Sequence, residues 1–82
     1  MNELQLHDEL KTIIGEIIEL DDFNDDDNFV TQLGVDSVMA LEMVARIEKR
    51  YRTRIPEESF AQMKTLTDVV HIVSGVMQPA NS

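Results

Sequence analysis

Apolar residues recur at intervals of three and four positions along the first stretch of the chain, from residue 3 to about residue 19. The series is Leu6, Leu10, Ile13, Ile14, Ile17 and Ile18. In an α-helix this spacing places the side chains on one face. The pattern therefore predicts an amphipathic first helix over residues 3–19, which Gly15 weakens without ending it.

The helical periodicity stops in the acidic segment DDFNDDDNF, which runs from Asp21 to Phe29. Aspartate and asparagine favour turns and caps because their short side chains bond to nearby backbone groups. We therefore predict a long connecting loop over residues 20–35. Four apolar residues are expected to hold this loop against the core: Phe23, Phe29, Val30 and Leu33.

A second helical pattern starts at Asp36 or Ser37 and continues to about Arg52. Asp36 is a favourable N-cap because its carboxylate can accept hydrogen bonds from the amides of the first turn. The predicted core face of this helix consists of Ala40, Leu41, Val44, Ile47 and Tyr51.

Two further elements complete the pattern. Ile55-Pro56 interrupts the periodicity, since the residue before a proline disfavours the helical region, and Pro56 suits the start of a short helix through about Gln62. Thr65-Leu-Thr-Asp68 has capping-box spacing ahead of a last helix. The apolar residues of that helix are Leu66, Val69, Val70, Ile72, Val73 and Val76.

No alternating strand pattern occurs along the chain, so the sequence predicts an all-α fold. We expect a small four-helix bundle, made of three main helices and one short helix, with a long loop between the first and second helices. The 82 residues suit a single domain, with a core over about residues 3–77 and a flexible tail at 78–82. Met1 and the plain tail favour a discrete protein.

The composition indicates the cellular location of the protein and the classes of partner that it can bind. The chain has no cysteine, which excludes disulfides and favours a cytoplasmic location, and no apolar run predicts a membrane span or signal peptide. Residues 1–42 hold twelve acidic residues and one basic residue, whereas residues 43–82 hold four and six, so the halves carry −11 and +2. A net charge of −9 argues against a nucleic-acid partner. Five of the basic residues cluster at positions 46–54.

The acidic loop begins like a calcium-binding loop, with Asp22-x-Asn24-x-Asp26. The sixth position of such a loop is glycine and the twelfth is glutamate, whereas this chain has Asp27 and Leu33 there. We therefore predict no specific metal site.

Ser37 is the candidate for chemistry, but not as a nucleophile. A catalytic serine needs a base within hydrogen-bond reach, and the two histidines, His7 and His71, are expected on helix surfaces. Gly34-Val-Asp-Ser37 also lacks the glycine that follows the serine of a tight nucleophile elbow. No catalytic residue is predicted. A helix N-terminus instead suits a phosphate attached to Ser37, because free amides and the positive end of the helix dipole face it.

The run Leu33-Gly34-Val35-Asp36-Ser37-Val38, followed by Leu41, Glu42, Val44 and Ile47-Glu48, resembles the acyl carrier proteins of fatty acid and polyketide synthesis. The resemblance covers nearly all of residues 3–77. It implies that Ser37 receives 4'-phosphopantetheine from coenzyme A through a phosphopantetheinyl transferase. It also implies a non-catalytic carrier. Acyl groups are bound as thioesters to the thiol of the phosphopantetheine arm, and an acyltransferase, ketosynthase or other synthase enzyme acts on them.

The start of the second helix is the expected docking surface for these enzymes. Asp36 and Glu42 match acidic positions of the family, and Val38 and Met39 are apolar residues poorly placed for the core. The run Ser-x-Met-Ala-Leu-Glu is more similar to polyketide carriers than to fatty-acid ones, so we expect a monomeric carrier of a polyketide or mixed polyketide-peptide pathway. A peptidyl carrier, which usually has Gly-Gly-x-Ser, and an unmodified helical adaptor are the alternatives.

Overall fold

The computed structural model describes residues 2–77, which form three α-helices and one short 3₁₀ helix. In chain order these are α1 (Glu3–Ile18), α2 (Ser37–Tyr51), the 3₁₀ helix (Glu57–Gln62) and α3 (Leu66–Met77). The described residues contain no strand, and a long loop joins α1 to α2, so the predicted all-α architecture is confirmed. The predicted tail at 78–82 lies outside the described residues.

Helix α1 forms the centre of the packing, since it contacts both α2 and α3. The Asn2 side chain caps its start by accepting a hydrogen bond from the Gln5 amide at 2.7 Å. Of the predicted apolar face, Leu6, Leu10 and Ile14 are buried, while Ile13, Ile17 and Ile18 are half-buried. The helix ends where Glu19 takes the left-handed conformation, with φ at 60°.

The structure gives a specific reason for a glycine at position 15, which the sequence pattern did not indicate. The chain turns back at the end of α1, and the amide of Leu20 donates to the carbonyl of Gly15 at 3.0 Å. A Cβ atom at position 15 would lie 2.8 Å from the carbonyl oxygen of Leu20. The glycine therefore permits a close approach of the backbone, in addition to weakening the helix.

The loop between α1 and α2 is held by its aromatic residues, as predicted. Phe23 and Phe29 are buried and Leu33 is half-buried, but Val30 is 68% exposed, so its predicted core position is wrong. The reason is a turn in which the Asn28 side chain accepts hydrogen bonds from the amides of Val30 and Thr31. This turn directs Phe29 inward and leaves its neighbour outside.

Helix α2 buries a different face from the one predicted. Val44 and Ile47 are buried as expected, together with Met43, which is only 2% exposed. The predicted core positions of Ala40 and Leu41 are wrong, because both residues are exposed and line an open cleft. The buried core of the domain therefore includes the side chain of Met43 in place of that of Leu41.

Polar contacts also join α2 to α1. Arg46 forms ion pairs with Glu16 of α1 at 3.3 Å and with Glu42 of its own helix at 3.2 Å. One turn later, Arg50 lies 3.4 Å from Glu9, whose carboxylate also accepts a hydrogen bond from the Tyr51 hydroxyl at 2.9 Å. Part of the basic cluster at positions 46–54 thus binds the acidic surface of α1.

The capping box predicted before the last helix is confirmed. The amide of Asp68 donates to Thr65 Oγ1 at 3.2 Å, and the amide of Thr65 donates to the Asp68 carboxylate at 3.1 Å. The residues that α3 buries are Leu66, Val69, Val70 and Val73. Within residues 2–77, the structure contains no helix with the length and apolar character needed to cross a membrane.

Candidate functional site

Ser37 is the first residue of α2, and the conformation of the three residues before it is well defined. Gly34 has φ at +71°, a conformation that glycine adopts without strain, and Val35 is buried with its amide bonded to the Phe29 carbonyl at 2.7 Å. Asp36 is extended and caps the helix, since its carboxylate accepts a hydrogen bond from the Met39 amide at 2.8 Å. The predicted N-cap is confirmed, and the Ser37 side chain is exposed.

The amides at the start of α2 remain available to an anion. The first four N–H groups of a helix have no partner within the helix, and here the Asp36 side chain uses one of them, that of Met39. The first turn of α2 contains no acidic residue. The positive end of the helix dipole faces the region of Ser37, and the capping carboxylate of Asp36 offsets part of it.

Neither histidine is hydrogen-bonded to Ser37 in the part of the chain that the structure describes. His7 lies between the carboxylates of Asp8 and Asp25, and His71 is exposed on α3. No hydrogen bond to the Ser37 hydroxyl is found among residues 2–77. The serine is thus presented as an accessible hydroxyl, without the base that a nucleophilic serine requires.

An apolar cleft of about 680 Å³ adjoins Ser37. It lies between the loop, the first half of α2 and the 3₁₀ helix, and Asp36 and Ser37 belong to its lining. The apolar residues that line it are Phe29, Val30, Val35, Ala40, Leu41, Met43, Val44, Phe60 and Met63. Its size is within the range of small-molecule sites, roughly 300 to 1,000 Å³.

The four predicted docking residues occupy different environments. Val38 is 72% exposed, whereas Met39 is half-buried and packs against the core, which its predicted place on the polar side did not anticipate. Asp36 is occupied as the cap, and Glu42 is paired with Arg46. Their role in docking stays a prediction.

Two exposed apolar residues near Ser37 were not predicted as surface residues. Leu41 lies one helical turn after Ser37 and is 60% exposed, and Val30 of the loop lines the same cleft. A signal for Leu41 was present in the sequence, because apolar residues at 38–41, 43, 44 and 47 exceed what one helix face can bury.

The acidic loop uses several of its carboxylates in local contacts. Asp22 pairs with Lys11 at 2.6 Å, and this hydrogen bond lowers the pKa of Asp22. The Asp27 carboxylate accepts a hydrogen bond from the amide of Asn24 at 3.1 Å. In the described range, no group of three or more histidine or acidic residues is arranged to hold a metal ion.

Comparison with known proteins adds the decisive observation. The family model described as "Phosphopantetheine attachment site" matches residues 8–73, which is most of the chain. The chain belongs to the phosphopantetheine attachment-site family. Among its relatives, an acyl carrier protein of Streptomyces coelicolor is 32% identical over 83 residues, covering 96% of this chain and 90% of the relative. Polyketide-8 synthase acyl carrier protein 2 of Streptomyces avermitilis is 30% identical, covering 82% of this chain and 79% of the relative.

Solved structures of carriers share the fold. The oxytetracycline acyl carrier protein aligns with a TM-score of 0.72 at 23% identity, covering all of this chain and 94% of that one. The mupirocin didomain ACP aligns with a TM-score of 0.80 at 20% identity; the match covers all of this chain and 45% of that longer one.

Family membership fixes the general function. The chain acts as an acyl carrier, and its prosthetic group is phosphopantetheine. Carriers of this family are modified by phosphopantetheinyl transferases and serve synthase enzymes. The residues near the start of α2 fit such a group, because an exposed hydroxyl, unpaired helix amides and an apolar cleft lie side by side there.

Proposed function

We propose that Ser37 is the residue to which 4'-phosphopantetheine is attached. The observation that carries this assignment is its exposure at the start of α2: of the three serines within residues 2–77, Ser37 is exposed, whereas Ser59 and Ser74 are half-buried. In the transfer, Ser37 Oγ forms a bond to the pantetheine-side phosphorus of coenzyme A while the pyrophosphate bond breaks, and adenosine 3',5'-bisphosphate leaves. The transferase must accept the hydroxyl proton, since no described residue is placed to do so.

The surroundings of Ser37 favour the product of this reaction. The phosphodiester formed there carries a negative charge, and free amides at a helix N-terminus stabilise an anion. The bound arm ends in a thiol that holds the acyl group as a thioester. Because the group remains tethered, its effective concentration at each partner enzyme is high.

The cleft next to Ser37 offers the acyl group an apolar surface. The lining includes Met43 and Phe60, and the cleft opens beside the serine. An acyl chain that is still attached to the arm can therefore bury its apolar surface there. Burial of apolar surface stabilises by roughly 25 cal/mol per Å². We therefore expect acyl-loaded protein to melt at a higher temperature than protein that carries the free thiol.

The proposal also covers the domain organisation, the docking surface and the pathway of this carrier. The chain is a single, monomeric, non-catalytic carrier domain over residues 1–82, located in the cytoplasm, without a nucleic-acid or membrane partner. The start of α2 is its docking surface: Asp36, Val38, Met39 and Glu42, extended by the exposed Leu41. The similarity to a polyketide synthase carrier supports a role in polyketide or mixed polyketide-peptide synthesis, with acyltransferase and ketosynthase enzymes as partners.

The attachment residue is tested by intact-mass measurement after incubation with coenzyme A and a promiscuous phosphopantetheinyl transferase. We expect the unmodified chain and Ser74→Ala to gain the mass of one pantetheine phosphate, and Ser37→Ala to gain nothing. Ser74 is the matched control because it is a helical serine of the same size. Modification of Ser37→Ala would refute the assignment.

The pathway requires a separate experiment on the loaded protein. Loading with malonyl rather than aminoacyl donors is expected for a polyketide carrier, and the reverse preference would indicate a peptidyl carrier. Efficient complementation of general fatty acid synthesis would contradict the polyketide role.

A further inference from the structure

His7 lies between two carboxylates, one from its own helix and one from the loop. Its Nδ1 is 3.0 Å from Asp8 Oδ1, and its Nε2 is 2.9 Å from Asp25 Oδ1. The imidazole is 24% exposed, so the contact with Asp25 is partly shielded from water. His7 also precedes the family match, which begins at residue 8.

This geometry requires a particular protonation state. A neutral imidazole has one N–H donor and one lone pair, whereas an ionised carboxylate can only accept. Both ring nitrogens can therefore donate only when the ring is an imidazolium. The same contacts raise the pKa of His7, first through the hydrogen bond to Asp25 and then through that to Asp8, against a smaller opposing effect of burial.

Asp25 extends the contact to a third element. Its backbone carbonyl accepts hydrogen bonds from the amide of Thr67 at 3.3 Å and from the Thr67 hydroxyl at 3.4 Å, at the start of α3. The carboxylate of Asp25 thus binds α1 while its carbonyl binds α3. The middle of the loop is held to both helices through this one residue.

The other charged groups around His7 do not replace this contact. Lys11, one turn further along α1, is paired with Asp22 of the loop. From α3, the uncharged Thr67 is the residue in contact with Asp25, and the acidic side chain of Asp68 is bound to the amides of its own cap. The ionised groups that face His7 are therefore Asp8 of α1 and Asp25 of the loop.

We propose that His7 is a protonation-controlled clasp that fixes the centre of the acidic loop to α1 and, through Asp25, to α3. When His7 loses its proton, one of its two hydrogen bonds is replaced by a lone pair facing a carboxylate, and the loop is released in the tautomer whose lone pair is on Nε2, opposite Asp25. For a group whose pKa is raised in the folded state, the added stability is complete below the ordinary value, about 6.5. It is lost as the pH rises through the higher folded value.

The clasp is tested by nuclear magnetic resonance on the full chain without a prosthetic group, so the outcome is independent of the attachment at Ser37. We expect the ring nitrogens of His7 to be protonated together at pH values where a free imidazole is already neutral. Asp25→Asn should lower the titration midpoint of His7 more than Asp26→Asn does. Asp26 is the matched control because it is an exposed neighbouring acid of equal charge. Equal midpoints in the two variants would overturn the proposal.

Release of the loop has a direct reporter, the amide of Thr67 that donates to the Asp25 carbonyl. Its protection against hydrogen exchange, corrected for the intrinsic rate, should fall severalfold as the pH rises through the titration of His7. In His7→Gln the protection should be low and independent of that titration. Unchanged protection in the parent chain across the titration would show that His7 does not hold the loop.

Discussion

Two glycines in helices should respond in opposite ways to the same substitution. Alanine is favoured over glycine in a helix interior by about 0.8 to 1.0 kcal/mol. At Gly75, nothing lies within 4 Å of an added Cβ, so Gly75→Ala should raise the free energy of unfolding by up to about 1 kcal/mol. For a domain of this size each kcal/mol corresponds to about 4 to 8 °C in melting temperature.

At Gly15 the gain in helix propensity is opposed by a clash. The added methyl group would lie 2.8 Å from the Leu20 carbonyl oxygen, which has to move together with the turn that ends α1. Overpacking of this kind costs about 1 to 3 kcal/mol. After the propensity gain, Gly15→Ala should lower the free energy of unfolding by up to about 2 kcal/mol.

Urea denaturation of the two variants and the parent chain, followed by circular dichroism, measures both changes. Gly75→Ala is the matched control, because it reports the propensity gain without the clash. If Gly15→Ala stabilised the protein as much as Gly75→Ala, the close approach of Leu20 would not constrain the end of α1.

Four further predictions concern the cap at Asp36, the core position of Met43, the half-buried phenol of Tyr51 and the net charge. Asp36→Ala should lower the free energy of unfolding by about 0.5 to 2 kcal/mol, and Asp36→Asn by clearly less, since asparagine also caps; equal losses would contradict the capping role. Met43→Ala should cost about 2 to 5 kcal/mol in urea denaturation, and Leu41→Ala should cost much less because its side chain is exposed. Burial, followed by the hydrogen bond to Glu9, raises the pKa of Tyr51 to about 12, so absorbance of this single tyrosine should titrate near that value. The stability that neutral Tyr51 provides should fall as the pH rises from about 10 to about 12, and a midpoint near 10 would contradict its burial. Added sodium or magnesium chloride should raise the melting temperature by screening repulsion among the acidic residues, and a flat response would refute this.

The elements that the sequence predicted well are those set by local chemistry. The N-cap at Asp36 depends on one side chain and an amide three residues later, and the capping box of Thr65 and Asp68 has the same span. The bounds of α1 and α2 lie within a residue or two of the prediction for the same reason. Ser37 could be singled out because it follows the cap directly.

The features that the sequence did not predict depend on contacts between distant residues. The second helix has more apolar residues than one face can hold, and tertiary packing decides that Met43 is buried and Leu41 exposed. The contact between His7 and Asp25 joins residues 18 positions apart, so no local pattern indicates it. The close approach at Gly15 likewise follows from the direction in which the chain leaves α1.

The ion pairs between α1 and α2 have a practical consequence for engineering this domain. Its acidic residues are not equivalent: neutralising Glu9 or Glu16 would leave Arg50 or Arg46 without its counterion in the other helix. A variant designed to carry less negative charge would then expose Arg50 without a counterion, whereas Arg46 would keep its ion pair with Glu42. The exposed Asp21 and Asp26 are safer positions for such redesign, because they can be neutralised without unmasking an arginine.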